Sequence, residues 1–270
     1  MLEVIGAKKT FNPGTINETR ALQGVHFKLE KSSFVIIIGT NGSGKSTLLN
    51  AVAGSFFLDD GQIRIDGKDI TRWPEHRRAA YIGRVFQNPF SGTAPNMTIE
   101  ENLVLAARRG LFRSLLPASR RSLVDALKER VRTLGMGLEN RFDNEIGTLS
   151  GGQRQALTLL MATWLRPQLL LLDEHTAALD PKSADQVIHL TREVVAREQL
   201  TTLMVTHSMW QAAHLGDRLI MVHRGKIVRD YAGATKARLR PDDLLAQFDE
   251  VRRTDQLDPT AAEMLRSRYV

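Results

Sequence analysis

Short apolar runs that end in a glycine or a polar residue predict several strands in this chain. The run FVIII at 34–38 is rich in β-branched residues and is followed by glycine, which is typical of a buried strand. LLLL at 169–172 and TTLMVT at 201–206 have the continuous apolar character of parallel strands that are covered on both faces. RLIMVHRGKIV at 218–228 predicts a hairpin. Because helical patterns lie between these strands, we expect an α/β sheet.

Helical spacing dominates the middle of the chain. In MTIEENLVLAARRG, at 97–110, Thr98 is followed three residues later by Glu101, and this capping box predicts a helix start. The helical region continues to about Gly147, and no convincing strand pattern follows before Leu169. This region is therefore interpreted as a helical insertion between two strand-bearing halves.

Amphipathic patterns predict further helices in the second half. One begins near Gln153 and ends at Pro167, which cannot continue it. At the end of the chain, PDDLLAQF at 241–248 and DPTAAEMLRSRYV at 258–270 predict two short helices, with the polar stretch VRRTDQLD at 251–258 as a linker between them. The apolar face of the first helix consists of Leu157, Leu160, Met161, Trp164 and Leu165.

Composition narrows the classes of function. The chain has 270 residues, of which 42% are hydrophobic and 25% charged, as in ordinary globular proteins. It contains no cysteine, so disulfides, thiolate metal sites and cysteine nucleophiles are excluded. The N-terminal residues do not resemble a secretion signal and no apolar stretch reaches the ~20 residues of a membrane span, so we expect a soluble cytosolic chain. A net charge of +7 suggests an anionic partner such as a nucleotide, nucleic acid or lipid headgroups.

The segment GTNGSGKST at 39–47 carries the clearest chemistry, because it satisfies the phosphate-binding pattern G-x-x-x-x-G-K-[ST]. Its glycines would let backbone N–H groups point at phosphate oxygens ahead of a helix N-terminus. Lys45 would reach the β- and γ-phosphates, and Ser46 would bind Mg²⁺. The alternative is an ordinary glycine-rich turn. The expected nucleotide contacts in this segment are Gly39, Thr40, Asn41, Gly42, Ser43, Gly44, Lys45, Ser46 and Thr47.

A pair of acids follows the LLLL run. A P-loop enzyme needs an acid at the end of a neighbouring apolar strand to hold Mg²⁺, and Asp173 is placed for that role. Glu174, one residue further, can orient or deprotonate the attacking water. The alternative for Glu174 is a helix cap at a strand end.

LSGGQ, at 149–153, lies between the P-loop and LLLLDE and resembles the signature of ABC ATPases. The resemblance covers the chain to about residue 235. It implies an α/β fold with a P-loop NTPase (RecA-like) core, an antiparallel β subdomain and an inserted helical subdomain. The ABC ATPase domain would span 1–235, with the helical subdomain at about 88–152, and 236–270 would form a C-terminal helical tail.

The resemblance also implies roles for single residues. Gln87 in VFQNP looks like the Q-loop glutamine, which approaches Mg²⁺ and links the nucleotide site to the helical subdomain. Asp180 in AALD is similar to the D-loop aspartate that crosses between protomers, and His207 in VTHS resembles the switch histidine that contacts the γ-phosphate. Phe11 is the expected aromatic that stacks on adenine, with a packed core phenylalanine as the alternative.

The signature implies a dimer. Ser150, Gly151 and Gly152 precede a helix and would form a second anion site at its N-terminus, with Gln153 beside them. In the family this motif closes on the ATP that the other protomer holds. The resemblance thus implies ATP and Mg²⁺ as cofactors. The expected catalytic residues are Glu174, His207, Gln87 and Lys45, and the expected metal ligands are Ser46, Gln87 and Asp173.

His175 departs from the family pattern, in which this position is commonly proline. It could add a phosphate or water contact beside the base. The alternative, which we favour, is that the position only requires a residue that turns out of the strand. A histidine metal site is not expected, because the histidines at 189, 207 and 214 show no ligand spacing.

The segment RRGLFRSLLPASRR, from Arg108 to Arg121, interleaves basic and apolar residues. Such a segment suits contact with anionic headgroups near a membrane subunit. The alternative, a solvated helical face, is preferred. No nucleic-acid-binding module is recognisable, so nucleic acid is not an expected partner.

One P-loop, one signature and no membrane span indicate an ATPase that moves another polypeptide. We expect the ATP-binding subunit of a multi-subunit ABC transporter, peripheral at the cytoplasmic face of the membrane. Its partners would be a second copy of the chain, integral membrane permease subunits and an extracytoplasmic solute-binding protein. ATP closure and hydrolysis would be transmitted through the segment after Gln87, QNPFSGTAPNMTIEENL.

FNPGTINETRAL together with DEHTAALDP is similar to importer ATPases that work with permeases of the branched-chain amino-acid type. Amino acids or similar small solutes are therefore the expected substrates. One alternative is the ATPase of an exporter or a lipid-trafficking complex, which would use the same catalytic residues. A soluble non-transport ABC ATPase is a further alternative, although such proteins usually join two cassettes or insert a long coiled coil.

Overall fold

The computed structural model describes residues 1–109 and 120–256, and for Arg120 and residues 252–256 it describes the backbone alone. In these residues there are ten strands and nine α-helices. The strands are β1 Leu2–Phe11, β2 Thr19–Leu29, β3 Phe34–Gly39, β4 Asp60–Ile65, β5 Lys68–Asp69, β6 Ile82–Val85, β7 Leu169–Asp173, β8 Thr201–Val205, β9 Arg218–His223 and β10 Lys226–Ala232. The α-helices are α1 Lys45–Ala53, α2 Glu75–Arg78, α3 Ile99–Ala107, α4 Arg120–Arg132, α5 Gly151–Thr163, α6 Pro181–Glu198, α7 Met209–His214, α8 Gly233–Arg238 and α9 Pro241–Gln256.

A six-stranded sheet forms the centre of the protein, in the order β10-β9-β3-β8-β7-β6. Strands β9, β3, β8, β7 and β6 run parallel to one another, and the edge strand β10 pairs antiparallel with β9. The strands predicted at 34–38, 169–172 and 201–206 and the hairpin at 218–228 are confirmed. Parallel strands that are covered on both faces carry apolar side chains on both faces. Their sequences are therefore apolar at consecutive positions instead of alternating between apolar and polar residues.

The central sheet separates two hydrophobic cores. Ile36 and Ile38 of β3 face a core shared with α5, whereas Val35 and Ile37 of the same strand face the other core. In β7, Leu170 and Leu172 point to the first core, and the alternate leucines point to the second. This period of two is what places a strand between two packed layers.

The second core is covered by α1 and by a smaller antiparallel sheet in the order β2-β1-β4-β5. Strand β1 pairs with both β2 and β4, and the pairing with β2 shifts register between Val4 and Ala7. Leu2 and Val4 of β1 and Phe27 of β2 are buried in this core. The small sheet therefore packs on the same face of the central sheet as α1.

Helices and turns occupy the described residues between β6 and α5. They comprise α3, α4 and two short 3₁₀ turns at Leu138–Asn140 and Ile146–Thr148. The predicted capping box at the start of α3 is confirmed: the hydroxyl of Thr98 accepts from the backbone N–H of Glu101, and the Glu101 carboxylate accepts from the N–H of Thr98. Buried residues of α3, α4 and α5 belong to the first core.

The end of the chain differs from the expectation. Helix α9 runs unbroken from Pro241 to Gln256, so the linker predicted at 251–258 is wrong for the six residues to Gln256. The physical reason is a stripe at helical spacing: Leu244 and Phe248 are buried in the first core, and Val251 packs against it. No Gly or Pro interrupts VRRTDQ. The second predicted helix, at 258–270, lies outside the described residues.

None of the helices formed within residues 1–109 and 120–256 has the length and apolar character needed to cross a lipid bilayer.

Candidate functional site

The carboxyl ends of four parallel strands lie side by side and place the predicted site residues at one edge of the sheet. The strand register aligns Ile37 of β3 with Val205 of β8, and Val205 with Asp173 of β7. Gly39 is the last residue of β3, and His207 follows β8 by two residues. Open α/β sheets bind ligands at this edge.

The loop from Gly39 to Gly44 joins β3 to α1. Gly42 and Gly44 have φ angles of +75° and +99°, a region that disfavours residues with a Cβ. A Cβ at Gly44 would also clash with the carbonyl oxygen of Ala21. Since Gly44 is the N-cap and provides no side-chain cap, the N-terminal N–H groups of α1 are left for another acceptor.

The side chain of Lys45, the first residue of α1, folds back under the loop. Its ammonium group donates to the backbone oxygens of Gly39 and Thr40 at 2.9 and 3.0 Å. Burial lowers the pKa of Lys45, whereas the nearby carboxylates of Glu174 and Asp173 raise it. The loop therefore holds a buried cation between its own carbonyls and two acids.

Asp173 and Ser46 converge across the sheet edge. The hydroxyl of Ser46 donates to Oδ1 of Asp173 at 3.3 Å. Burial raises the pKa of Asp173, while Arg84, Ser46 and Lys45 lower it. A hydroxyl and a carboxylate oxygen are hard ligands of the type that Mg²⁺ accepts alongside phosphate oxygens. Within the ranges that the structure describes, no group of three or more His, Asp or Glu side chains has metal-binding geometry, and Ser46 and Asp173 together offer two hard ligands.

Glu174 contacts His207 directly. The distance between Oε1 of Glu174 and Nε2 of His207 is 2.6 Å. Glu174 has a φ of +46°, an uncommon conformation for a residue with a side chain, and its N–H donates to the oxygen of Val205 at 3.0 Å. This backbone bend turns the carboxylate toward the histidine instead of continuing the strand.

Gln87 lies just beyond β6, exposed to solvent. A cavity of about 630 Å³ is lined by Gln87, Asp173, Ala178 and Gly151, among others. The structure therefore brings the predicted Q-loop glutamine, the predicted metal-binding aspartate and one glycine of the LSGGQ motif to a common cavity.

The LSGGQ motif begins α5. The hydroxyl of Ser150 accepts from the N–H of Gln153 and the Gln153 side chain accepts from the N–H of Ser150, both at 3.3 Å. Ser150 and Gly151 are exposed, while Gly152 lies against Ser183 of α6 so closely that a Cβ would be 2.7 Å from that side chain. Asp180 caps α6 by accepting from the N–H of Ser183 at 3.0 Å. The motif and Asp180 therefore occupy adjacent helix N-termini.

His175 points away from this edge. Its side chain is buried, with 1% exposure, and Nε2 lies 3.0 Å from the hydroxyl oxygen of Thr191 in α6. That hydroxyl donates to the oxygen of Val187, so it accepts from His175. Burial lowers the pKa of His175 to about 4. A neutral histidine inside the protein agrees with the interpretation that His175 turns the chain, and gives it no contact with phosphate.

Phe11, at the end of β1, packs edge-on against Phe56 with ring centroids 5.4 Å apart. The ammonium of Lys9 lies 5.6 Å from the Phe11 ring centroid. Phe11 is partly exposed, so part of its ring remains accessible to solvent. Most of the basic segment from Arg108 to Arg121 lies outside the described residues.

Two features of the site were missed by sequence reasoning. Helix α9 lines a cavity together with the P-loop: the cavity has a volume of about 330 Å³ and is bordered by Thr40, Asn41, His207, Phe248 and Asp249, among others. The amphipathic pattern predicts a helix there but carries no signal for where it docks. The second feature is Arg84 of β6, whose Nη2 lies 3.7 Å from Oδ2 of Asp173, and no motif marks this residue.

Comparison with known proteins agrees with the resemblance to ABC ATPases. A family model described as ABC transporter matches residues 22–177. A tyrosine transport ATP-binding protein of Clostridioides difficile (strain R20291) is 41% identical over 250 residues, which is 92% of this chain and 99% of that protein. A sulfate/thiosulfate import ATP-binding protein of Mycobacterium bovis is 36% identical over 208 residues, which is 77% of this chain but 56% of that protein.

Solved structures agree with the fold. An ATP-binding cassette of an ABC transporter in its ADP conformation has a TM-score of 0.75 and 26% identity, covering 92% of this chain and 97% of that chain. The TM-score is 0.73, at 27% identity, for a dimeric ATP-binding cassette in a post-hydrolysis state bound to ADP and Pi, covering 86% of this chain and 98% of that chain. The α/β P-loop NTPase fold is thus confirmed. The chain belongs to the ABC transporter family as an ATP-binding subunit, and this family hydrolyses ATP to drive transport.

Proposed function

We propose that this chain energises an importer of amino acids or similar small solutes by binding and hydrolysing ATP between two of its copies. The observation that carries the proposal is the convergence of Lys45, Ser46, Asp173, Glu174 and His207 at one sheet edge. Phosphoryl transfer asks a protein mainly for positioning and for charge stabilisation, and these groups supply both.

ATP would be held by the loop at 39–47. The glycine backbone and the uncapped N-terminus of α1 present N–H donors to the phosphates. Lys45 would exchange its contacts with the carbonyls of Gly39 and Thr40 for phosphate oxygens. Phe11 would offer the exposed part of its ring to the adenine.

Mg²⁺ would be held by Ser46 and Asp173, with Gln87 approaching from the neighbouring strand end. When bound, the ion neutralises charge on the phosphates. Glu174 would orient the attacking water and accept its proton, while His207 holds the Glu174 carboxylate and reaches the γ-phosphate.

Two copies of the chain would close on each nucleotide. Ser150 and Gly151 lie exposed at the start of α5, and their capping box keeps that helix end formed. The helix N-terminus then offers its positive end to the ATP of the other copy. The dimeric state of a similar solved cassette supports this arrangement.

A permease subunit would dock in a groove beside Gln87. The groove has a volume of about 530 Å³ and is lined by residues 91–94, by Asn102, Leu105 and Ala106 of α3, and by Arg84. Leu105 and the neighbouring Phe90 expose large apolar side chains, at 57% and 53%. Solvent-exposed apolar side chains around a groove suit a protein partner. This docking would place the chain at the cytoplasmic face of the membrane.

The solute class is supported by the tyrosine transport relative, which matches along almost its entire length. The importer interpretation also implies an extracytoplasmic solute-binding protein. The sulfate/thiosulfate relative matches over a smaller share of both proteins, so an amino acid is the preferred solute.

Two measurements test this proposal. The purified chain should hydrolyse ATP in the presence of Mg²⁺, and a chain without ATPase activity, alone or with its partners, would contradict it. Second, the chain should be tagged after Val270, extracted with its membrane partners in mild detergent, and its companions identified by mass spectrometry. We expect a polytopic permease and a solute-binding protein, whereas ribosomal or DNA-processing companions would reject the transporter assignment while leaving the ATPase chemistry intact.

A further inference from the structure

Arg84, in the middle of β6, joins three elements around the site. Its Nη2 atom lies 3.7 Å from Oδ2 of Asp173 and also donates to Oδ1 of Asn50 in α1. Its Nη1 atom donates to the hydroxyl of Ser55, just beyond α1, at 3.3 Å. The guanidinium also stacks on the ring of Phe86, 4.4 Å from its centroid.

We propose that Arg84 is a positioning residue for Mg²⁺, because it holds the Asp173 carboxylate in the orientation that the metal requires. The inference rests on the proposed function, in which Asp173 and Ser46 bind the ion. Neither the P-loop pattern nor the LSGGQ motif points to Arg84, which precedes Gln87 by three residues.

The two oxygens of Asp173 have separate partners. Oδ1 accepts from Ser46, and Oδ2 faces Arg84. The attraction between the Arg84 guanidinium and Oδ2 favours the carboxylate orientation that leaves Oδ1 beside the Ser46 hydroxyl. Partners of this kind orient metal-binding carboxylates in proteins, and their loss typically lowers metal affinity by about 10–100-fold.

The contact is shielded from water. The side chains of Arg84 and Asp173 are each 13% exposed. Solvent therefore competes weakly for either charge, and removing Arg84 would leave the buried Asp173 carboxylate with Ser46 and Lys45 as its remaining partners. The pair consequently constrains Asp173 more strongly than an ion pair on the protein surface would.

Position 84 requires an arginine because its side chain makes several contacts at once. The planar guanidinium reaches Asn50 and Ser55 while it faces Asp173, and it stacks on Phe86 at the same time. A lysine carries one compact ammonium group and cannot reproduce the fork or the stacking. Arg84→Lys therefore keeps the charge but loses the orientation.

A purely structural role is the competing explanation, since Arg84 also ties α1 to β6. The two roles differ in what they affect. A structural tie would weaken binding of nucleotide with or without metal, whereas a positioning residue affects the dependence on Mg²⁺ alone. Lys45 and the P-loop backbone hold the phosphates in either case.

The experiment titrates Mg²⁺ into the full-length chain with a fluorescent non-hydrolysable ATP analogue, and repeats the binding in EDTA. Arg84→Met and Arg84→Lys are compared with the wild type. Arg218→Met is the matched control, because Arg218 makes a bidentate pair with Asp230 on the β9–β10 hairpin, away from the proposed ligands. Thermal unfolding without nucleotide reports the stability of each variant.

For Arg84→Met we expect the Mg²⁺ concentration at half-maximal binding to rise by about tenfold, with binding in EDTA unchanged. Arg84→Lys should show a rise of at least about threefold. Arg218→Met should leave the Mg²⁺ dependence at the wild-type value. If Arg84→Met does not fold, Arg84→Lys and Asn50→Ala, which removes the anchor on α1, take its place with the same expected direction.

An unchanged Mg²⁺ dependence in the folded Arg84 variants would overturn the inference, and so would an equal loss of binding with and without metal. If the wild-type chain itself bound the analogue without any response to Mg²⁺, the proposed function would fail instead. The wild-type titration therefore separates the two failures.

Discussion

Glu174 and His207 are in direct contact, with Oε1 of the acid 2.6 Å from Nε2 of the imidazole. The pair joins the residue after β7 to the second residue after β8, and the register of these strands sets the spacing. An acid that is already oriented by a neighbouring histidine is suited to act as a general base.

Glu174→Gln should bind ATP at near the wild-type affinity and hydrolyse it about 100-fold more slowly or worse, since a general base contributes roughly 10²–10⁴-fold. His207→Ala should also slow hydrolysis, because the carboxylate loses its partner. Phosphate release and equilibrium ATP binding are the measurements. His214→Ala is the control, since His214 is stacked on Trp210 at the end of α7. Normal turnover in Glu174→Gln would reject Glu174 as the base.

Lys45→Ala should lose most of the affinity for ATP, because the phosphates lose the cation that lies 2.9 and 3.0 Å from the loop carbonyls. Isothermal titration with ATP measures the effect. Lys226→Ala removes an exposed lysine from the start of β10 and should bind ATP normally. Equal affinities in the two variants would contradict the role given to the P-loop.

Ser150→Ala should lower both stability and ATP hydrolysis. Its hydroxyl caps α5, and losing an N-cap of this kind costs about 1 kcal/mol of unfolding free energy. Thr98→Ala is a matched control, because Thr98 forms the same capping box on α3. Both variants should lose similar stability in urea unfolding, but only Ser150→Ala should slow hydrolysis by the isolated chain. Equal hydrolysis in the two would remove Ser150 from the proposed dimer site.

His175 should make stability depend on pH. Its pKa is lowered to about 4 in the folded chain by burial, against about 6.5 when unfolded. Above pH 6.5 both states are neutral and no stability is lost. As the pH falls from about 6.5 to 4 the unfolded state alone takes up the proton, so the free energy of unfolding drops by up to about 3 kcal/mol.

His175→Pro should abolish this part of the pH dependence and leave turnover within about twofold of the wild type. Thr191→Val removes the hydrogen-bond partner but keeps the imidazole buried, so it should retain the pH dependence. Urea unfolding at pH 7 and pH 4.5 measures the difference. A tenfold loss of turnover in His175→Pro would restore a catalytic role for His175.

The central strands and the P-loop were predictable because their signals are local. A run such as 169–172 is apolar at consecutive positions, and this reports burial on both faces without any knowledge of its neighbours. The resemblance that supplied Gln87, Asp180 and His207 rests on motif order. The contact between Glu174 and His207, in contrast, depends on two strands that are distant in sequence.

The contacts of Arg84 and the full length of helix α9 could not be predicted from local sequence patterns. Arg84 donates a hydrogen bond to Asn50, which lies 34 positions earlier in the sequence. Neither residue type indicates this contact in the sequence. Residues 251–256 looked like a linker because they are polar, yet Val251 continues the buried stripe of Leu244 and Phe248, and the helix runs on to Gln256. Tertiary packing decided both cases.

Helix α9 has a practical consequence for anyone who wishes to shorten this protein. The family match ends at residue 177 and the motifs end at His207. A cassette trimmed before Pro241 would therefore retain every recognised motif. Such a fragment would lose Phe248 and Asp249 from the wall that faces Thr40 and Asn41, and would uncover the apolar surface beneath Leu244. Kinetic constants measured on a trimmed cassette would therefore describe a protein with an altered wall beside the P-loop and an exposed apolar surface, and they should not be transferred to the 270-residue chain.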